Sequence, residues 1–220
     1  SARFQIPLEP YPYLGRYATS MWLANPDTPE GYAFYRTKMA ALLELYPQID
    51  QVALWMRRKG SEWLSLRKDQ LPLSWQREYS NVVRKHPQLS DWTDAPGRFA
   101  LGKVAAAFHR ALEELGRDGI ELRAGSWAFD WMEPMDVFFP KDIGFVALDY
   151  NVLSGVSDIE LPEKRDLIMA VSRGRPVTPV FWAHHDDGGY MGRPYLPIRD
   201  LQTRLHRLGA DGFGIIHWTT

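Results

Sequence analysis

Five short apolar runs, separated by stretches long enough to hold a crossover helix, constrain this chain more than any other feature. They are "VALWM" within 49–56, "LRAGSWAF" within 120–129, "GFVAL" within 143–150, "VFWA" before His184, and "FGII" before His217. None alternates strictly between apolar and polar. A strand covered on one face alternates, whereas a strand covered on both is apolar throughout, as in parallel sheets. Between the runs lie segments with helical signals. "DTPEGYAFYRTKMAALLELYP" offers Asp27 or Thr28 as a cap, Pro29 in the first turn and Pro47 as the stop, with Phe34, Met39, Leu42, Leu43 and Tyr46 on one apolar face. "ALGKVAAAFHRALEELGRDG" is amphipathic and ends at glycine. A helix is expected at about 162–173, another in "LPIRDLQTRLHRLGADG", and "MEPMDVFF" reads as a short helix or turn. Residues 1–28, with prolines at 7, 10, 12 and 26, read as irregular.

Strands alternating with helices predict parallel βαβ units and the α/β class. The expected architecture is a (β/α) barrel or part of one, with about five parallel strands in a single α/β domain over 1–220. Five units are too few to close an eight-stranded barrel, whose usual size is about 250 residues. Two explanations compete, a small open α/β domain and a piece of a larger (β/α)8 barrel carrying roughly its last five strands; the piece is the favoured expectation. Residues 57–100 read as a long inserted loop containing one helix near 74–85. Connections of that length are more often functional than idle.

Composition limits the partners. The chain has 220 residues, with Lys plus Arg 26, Asp plus Glu 27 and a formal net charge of −1. That balance supplies no electrostatic pull toward nucleic acid or an anionic membrane. No apolar run approaches the roughly 20 residues that span a bilayer. "SARFQIPLEPYPYLGRY" lacks the basic start and apolar core of a signal peptide, which leaves a secreted or periplasmic location open. With no cysteine, any metal would need His, Asp or Glu. Nine tryptophans and ten tyrosines stand out. They serve core packing and suit the stacking of sugar rings.

In parallel α/β folds the chemistry gathers at the carboxyl ends of the strands. Every apolar run here ends in polar or aromatic residues. The first is followed by Arg57, Arg58, Lys59 and Glu62; the second by Trp127, Asp130, Trp131 and Glu133; the third by Asp149, Tyr150 and Asn151. The fourth carries Trp182 and runs into His184, His185, Asp186 and Asp187, then Tyr190 and Arg193; the fifth ends in His217 and Trp218. Neighbours in an extended chain alternate, so "HHDD" directs one His and one Asp inward. As candidate catalytic groups we take Asp130, Glu133, Asp149, Asp186 and Asp187. Glycoside hydrolysis needs a carboxylic acid to protonate the leaving oxygen and a carboxylate to act as nucleophile or base. Each acid also has an ordinary fate as a cap or loop ion pair, and Asp130 is placed to cap the "WMEPM" turn. Candidate substrate-binding residues are Trp127, Trp182 and Trp218 as stacking surfaces, His184, His185, Tyr190 and His217 as hydroxyl partners, and Arg57 and Arg193 as bidentate clamps for a sugar carboxylate. A metal site built on the His-His-Asp-Asp run, with Asp149 or His217 as further ligand, is the alternative; no recognised metal spacing supports it.

"YPQIDQVALWMRRKG", "GSWAFDW", "KDIGFVALDYNV", "PVFWAHHDDGGYMGRPY" and "LGADGFGIIHWTT" together resemble the C-terminal half of an α-glucuronidase-like glycoside hydrolase (β/α)8 barrel, over most of residues 29–220. The resemblance implies a hydrolase acting on plant- or algal-type polysaccharide or oligosaccharide, uronic acid residues included, without a cofactor. It makes the last strand the floor of a sugar subsite. Its partners would be the carbohydrate and the remainder of the barrel or another chain. Where such families place an acid soon after the "ID.VWLW" strand, Met56, Arg57, Arg58 and Lys59 stand here. No acid is carried over to that strand. A metal-dependent barrel hydrolase or isomerase and a non-catalytic carbohydrate-binding half-barrel are the competing classes.

Overall fold

The computed structural model describes residues 3–7, 20–56, 66–126, 129–149, 157–185 and 200–218. They fall into two compact units. One comprises Ser1–Val52, Arg57–Glu121 and Val137–Pro140, and the other Ala53–Met56, Leu122–Asp136 and Lys141–Thr220.

The first unit is mainly helical. Its strands β1 (Arg3–Pro7) and β2 (Ser20–Ala24) pair antiparallel, Arg3 opposite Ala24 and Pro7 opposite Ser20. This corrects the expectation that residues 1–28 are irregular. Pro7 lies at the last paired position of its strand, where a missing donor is tolerated, so it bounds the strand without preventing it. Helix α1 spans Pro29–Leu45 and is capped by Thr28, whose hydroxyl accepts from the Gly31 amide at 3.1 Å. The face α1 buries is Tyr32, Tyr35, Met39 and Leu43, while Phe34 and Tyr46 are exposed. The expected face was therefore rotated. Tyrosine can be core when its hydroxyl finds a partner, and Tyr35 donates to the Ala24 carbonyl at 2.7 Å.

Helices α2 (Leu73–Lys85) and α3 (Ala95–Glu114) complete this unit. The α2 bounds match the helix expected near 74–85. Trp75, Tyr79, Leu66, Leu71 and Leu89 pack with Leu23, Ala95, Phe99 and Ala100 in one apolar cluster. Phe99 meets Trp75 and Tyr79 at ring-centroid distances of 6.2 and 5.7 Å, with the rings steeply inclined. A second cluster joins Tyr32 and Tyr35 of α1 to Val104 and Ala107 of α3.

The parallel sheet is ordered β3 (Gln51–Met56), β4 (Glu121–Ser126), β5 (Gly144–Asp149), β6 (Val177–His185), β7 (Gly214–Trp218). The connections carry α2 and α3, then α4 (Met132–Phe138), α5 (Pro162–Ser172) and α6 (Leu201–Arg207). Spatial order follows chain order with no reversal. A doubly wound sheet reverses its strand order at a switch point, and no such reversal occurs here. This is the winding of a (β/α) barrel, and the chain carries five strands of one. All six residues of β5 are buried, which is why that strand is apolar throughout.

Candidate active site at the carboxyl ends of the strands

The second unit carries the acids. Asp149 is the last residue of β5 and is fully buried. Alternation along the strand puts it on the same face as Phe145 and Ala147. That face meets the connections: the Trp131 ring packs on Phe145 at 4.9 Å, and the Arg175 guanidinium lies over the same ring at 4.2 Å. The Ser157 hydroxyl donates to Asp149 Oδ2, so the strand end and the chain returning toward α5 are tied together. A carboxylate removed from water needs donors of this kind.

Asp130 lies in a 3-10 turn, Phe129–Trp131, just beyond β4. Its Oδ1 accepts from the Lys164 ammonium in the first turn of α5. The two acids thus follow adjacent strands, on the side where parallel sheets place their chemistry. Glu133, on α4, is exposed. Trp131 is buried and serves the core against Phe145.

Strands β6 and β7 place the histidines in register. Trp182 pairs with Ile216, the register then shifts, and His184 pairs with His217 and His185 with Trp218. A bulge next to a site re-aims the strand beyond it. Arg57, Trp127, Asp186, Asp187, Tyr190 and Arg193 lie outside the described residues, as does Glu62. Reading the sequence missed Ser157 and Lys164. Lysine in the first turn of a helix opposes the helix dipole, and that was the available signal.

The opposite ends of the same strands hold a different polar group. Arg123, near the start of β4, donates through Nη1 to Thr178 of β6 and through Nη2 to Asp211 Oδ2 at 2.5 Å. Thr178 donates to Asp211 Oδ1 at 2.9 Å. Gly144 of β5 lies between; a Cβ there would sit 3.4 Å from Arg123 Cγ and 3.2 Å from the Pro176 carbonyl oxygen. At the amino ends of barrel strands such groups serve stability. Burial pushes the Asp211 carboxyl up, but the bonds from Arg123 and Thr178 and the guanidinium charge outweigh it and hold the carboxyl below its usual value of 3.8. A depressed carboxyl contributes stability above pH ~3.8 that is lost as pH falls through its lower folded value. Asp211→Asn should cost about 2–3 kcal/mol at pH 7 and flatten the acid limb of stability against pH. The figure is under that for a fully buried pair because Asp211 is 33% exposed. Urea titrations at pH 3–7 check this, and an unchanged acid limb would refute it.

Among the described residues no group of three or more His, Asp or Glu is disposed to hold a metal ion. No described helix is long and apolar enough to cross a membrane. No family model matches the chain, and no curated protein matches it. A solved structure, bee venom hyaluronidase in complex with a hyaluronic acid tetramer, is similar at 14% identity and a TM-score of 0.40, over 95% of this chain and 74% of that one. At that level the likeness assigns no chemistry to this chain.

Proposed function

We propose that this chain is a glycoside hydrolase whose site forms at the carboxyl ends of its five parallel strands. The observation that carries the reading is the pair of acids following adjacent strands: Asp149, buried and bonded by Ser157, and Asp130, held by Lys164. Two carboxyl groups in unlike surroundings are what acid and base or nucleophile roles require. Asp186 and Asp187, following β6, and Glu133 complete the set from which the pair is drawn. The substrate is a plant- or algal-type polysaccharide or oligosaccharide. The arginines at 57 and 193 favour uronic acid residues, whose carboxylate an Arg fork engages bidentately. Trp127, Trp182 and Trp218 supply stacking surfaces, and Tyr190, His184, His185 and His217 hydroxyl partners. The α-glucuronidase-like kind is the narrower form of this proposal.

The test is hydrolysis of uronate-containing and neutral oligosaccharides by the full chain and by Asp130→Asn, Asp149→Asn and Asp186→Asn, each checked for folding by circular dichroism. At least one of the three should lose about a hundredfold or more in kcat. Hydrolysis untouched by all three substitutions would remove the basis of the reading. Binding without turnover would instead favour a carbohydrate-binding module. The paired registers of His184 and His217 favour one further reading, a metal-dependent barrel hydrolase or isomerase. Activity abolished by chelator and restored by zinc or manganese would select it.

A further inference from the structure

The long excursion that carries α2 has no part in the strand-end site, yet its charge is uneven. Between residues 66 and 86 stand the cations Arg67, Lys68, Arg77, Arg84 and Lys85 against only Asp69 and Glu78, in a chain whose net charge is −1. Both acids are already engaged. Asp69 lies 3.2 Å from the Arg67 guanidinium, and Glu78 accepts from the Lys103 ammonium of α3 at 3.0 Å. Lys68, Arg77, Arg84 and Lys85 are exposed and meet no carboxylate among the described residues. Arg84 donates only to the neutral side-chain oxygen of Asn81. Lys68, in the 3-10 turn Lys68–Gln70 before α2, shares a groove of about 420 Å³ with Leu73, Gln76, Arg77 and Ser80. Leu73 is 74% exposed, so the groove offers apolar surface beside its cations. Arg84 follows Arg77 by seven residues, two turns along the same stripe of α2, about 10.5 Å up the axis.

We propose that this groove and the stripe that continues it form a second binding surface, separate in sequence from the strand-end acids, for an acidic polysaccharide chain. The proposal rests on the hydrolase reading for the identity of the polyanion. An open strip of cations without internal partners is complementary to a ligand that repeats its negative charge along its length. The two guanidinium groups each match a carboxylate fork, and their separation is a span that two sugar rings of an extended chain cover. Leu73 meets the C–H face of a ring between them. A single-stranded nucleic acid calls instead for exposed aromatic rings on which bases stack. The rings of α2, Trp75 and Tyr79, are buried.

The experiment measures binding of the full chain to oligogalacturonate, oligoalginate, a neutral malto-oligosaccharide of equal length and single-stranded DNA, by calorimetry at low and at raised salt. The wild type should bind at least one of the two uronate oligomers, more weakly as salt rises, and leave the neutral oligomer unbound at this surface. The double variant Arg77→Gln, Arg84→Gln should bind that uronate oligomer about fivefold or more weakly. The double variant Lys38→Gln, Arg207→Gln removes the same charge elsewhere and should bind as the wild type does. Circular dichroism checks that each is folded; should the first pair not fold, Lys68→Gln with Arg77→Gln tests the same groove. Uronate binding indifferent to the groove variants overturns the proposal. So does an equal loss in the charge-matched control, and so does tighter binding of DNA than of either uronate oligomer. Binding that depends on Arg77 and Arg84 in a chain that hydrolyses none of these sugars supports the surface and overturns the hydrolase reading. Hydrolysis of a uronate oligomer whose binding ignores both arginines overturns the surface alone.

Discussion

Replacing Gly31 with alanine is expected to cost about 3–4 kcal/mol of folding stability and to lower Tm by about 10 °C. Gly31 is the third residue of α1, and a Cβ built on it would lie 1.9 Å from the Asn25 carbonyl oxygen, 2.5 Å from the carbonyl carbon and 2.8 Å from the Asn25 nitrogen. All three are backbone atoms, so no rotamer change relieves the overlap. The segment that must move is already committed. The Asn25 carbonyl accepts from the Thr28 amide at 3.1 Å and from the Thr28 hydroxyl at 3.0 Å. Its side-chain oxygen accepts from the Asp27 amide at 3.0 Å. The Thr28 hydroxyl is the helix cap, so displacing Asn25 releases the cap as well. A lost cap costs about 1 kcal/mol and each weakened bond about the same. Urea unfolding of Gly31→Ala beside the exposed control Glu30→Ala measures the difference. A loss under 1 kcal/mol would show that the 25–31 turn yields freely.

Removing the Arg175 guanidinium should be comparably severe. The side chain is fully buried. Nε donates to Asp136 Oδ1 at 2.8 Å, Nη1 to the Ile143 carbonyl at 2.6 Å and Nη2 to the Asp136 carbonyl at 3.1 Å. Its flat face covers the Phe145 ring. Desolvation pulls the Arg175 pKa below its usual value, and the charge and hydrogen bond of Asp136 and the charge of Asp142 oppose that pull. Arg175→Met keeps much of the volume and deletes every donor. The expected loss is about 3–4 kcal/mol, near the lower end for breaking a buried ion pair. Lys141 moderates it, because its ammonium also donates to Asp136 Oδ1, at 2.7 Å. Arg175→Lys should recover only part of the loss, since an ammonium cannot reproduce three bonds fixed in one plane. Equal stability of wild type and Arg175→Met by urea titration would contradict this account.

How much of this was legible beforehand depends on the range of the interaction that decides it. The apolar runs announced β3 to β7; for β5, buried at all six positions, cover on both faces is the reason, whereas Trp55 in β3 and Ile215 in β7 are exposed. Thr28 and Pro29 announced the start of α1 because a cap acts within three residues. The β1–β2 pairing was not legible, because its register, from Arg3 opposite Ala24 to Pro7 opposite Ser20, joins residues well beyond a local turn across prolines that also read as breakers. Nor was the buried face of α1: periodicity fixes the spacing of a stripe, but where α3 packs against it decides its rotation, and the Tyr35 hydroxyl needed the Ala24 carbonyl to become core.

The same division runs through the site. That acids and histidines follow the strands was plain from their order along the chain. Which of them meet which partners was not. Asp130 read equally as a cap or a catalytic acid until α5 brought Lys164 to it from 34 residues away. The register shift after Trp182 sets His184 opposite His217, and a bulge has no signature in a run of apolar residues. Sequence alone determined the alternation of strand and helix and the polar character of the strand ends, since both follow from burial and from contacts within a turn or two. Only the tertiary structure decided which charges are paired, because the crossovers that bring them together span tens of residues and leave no local pattern.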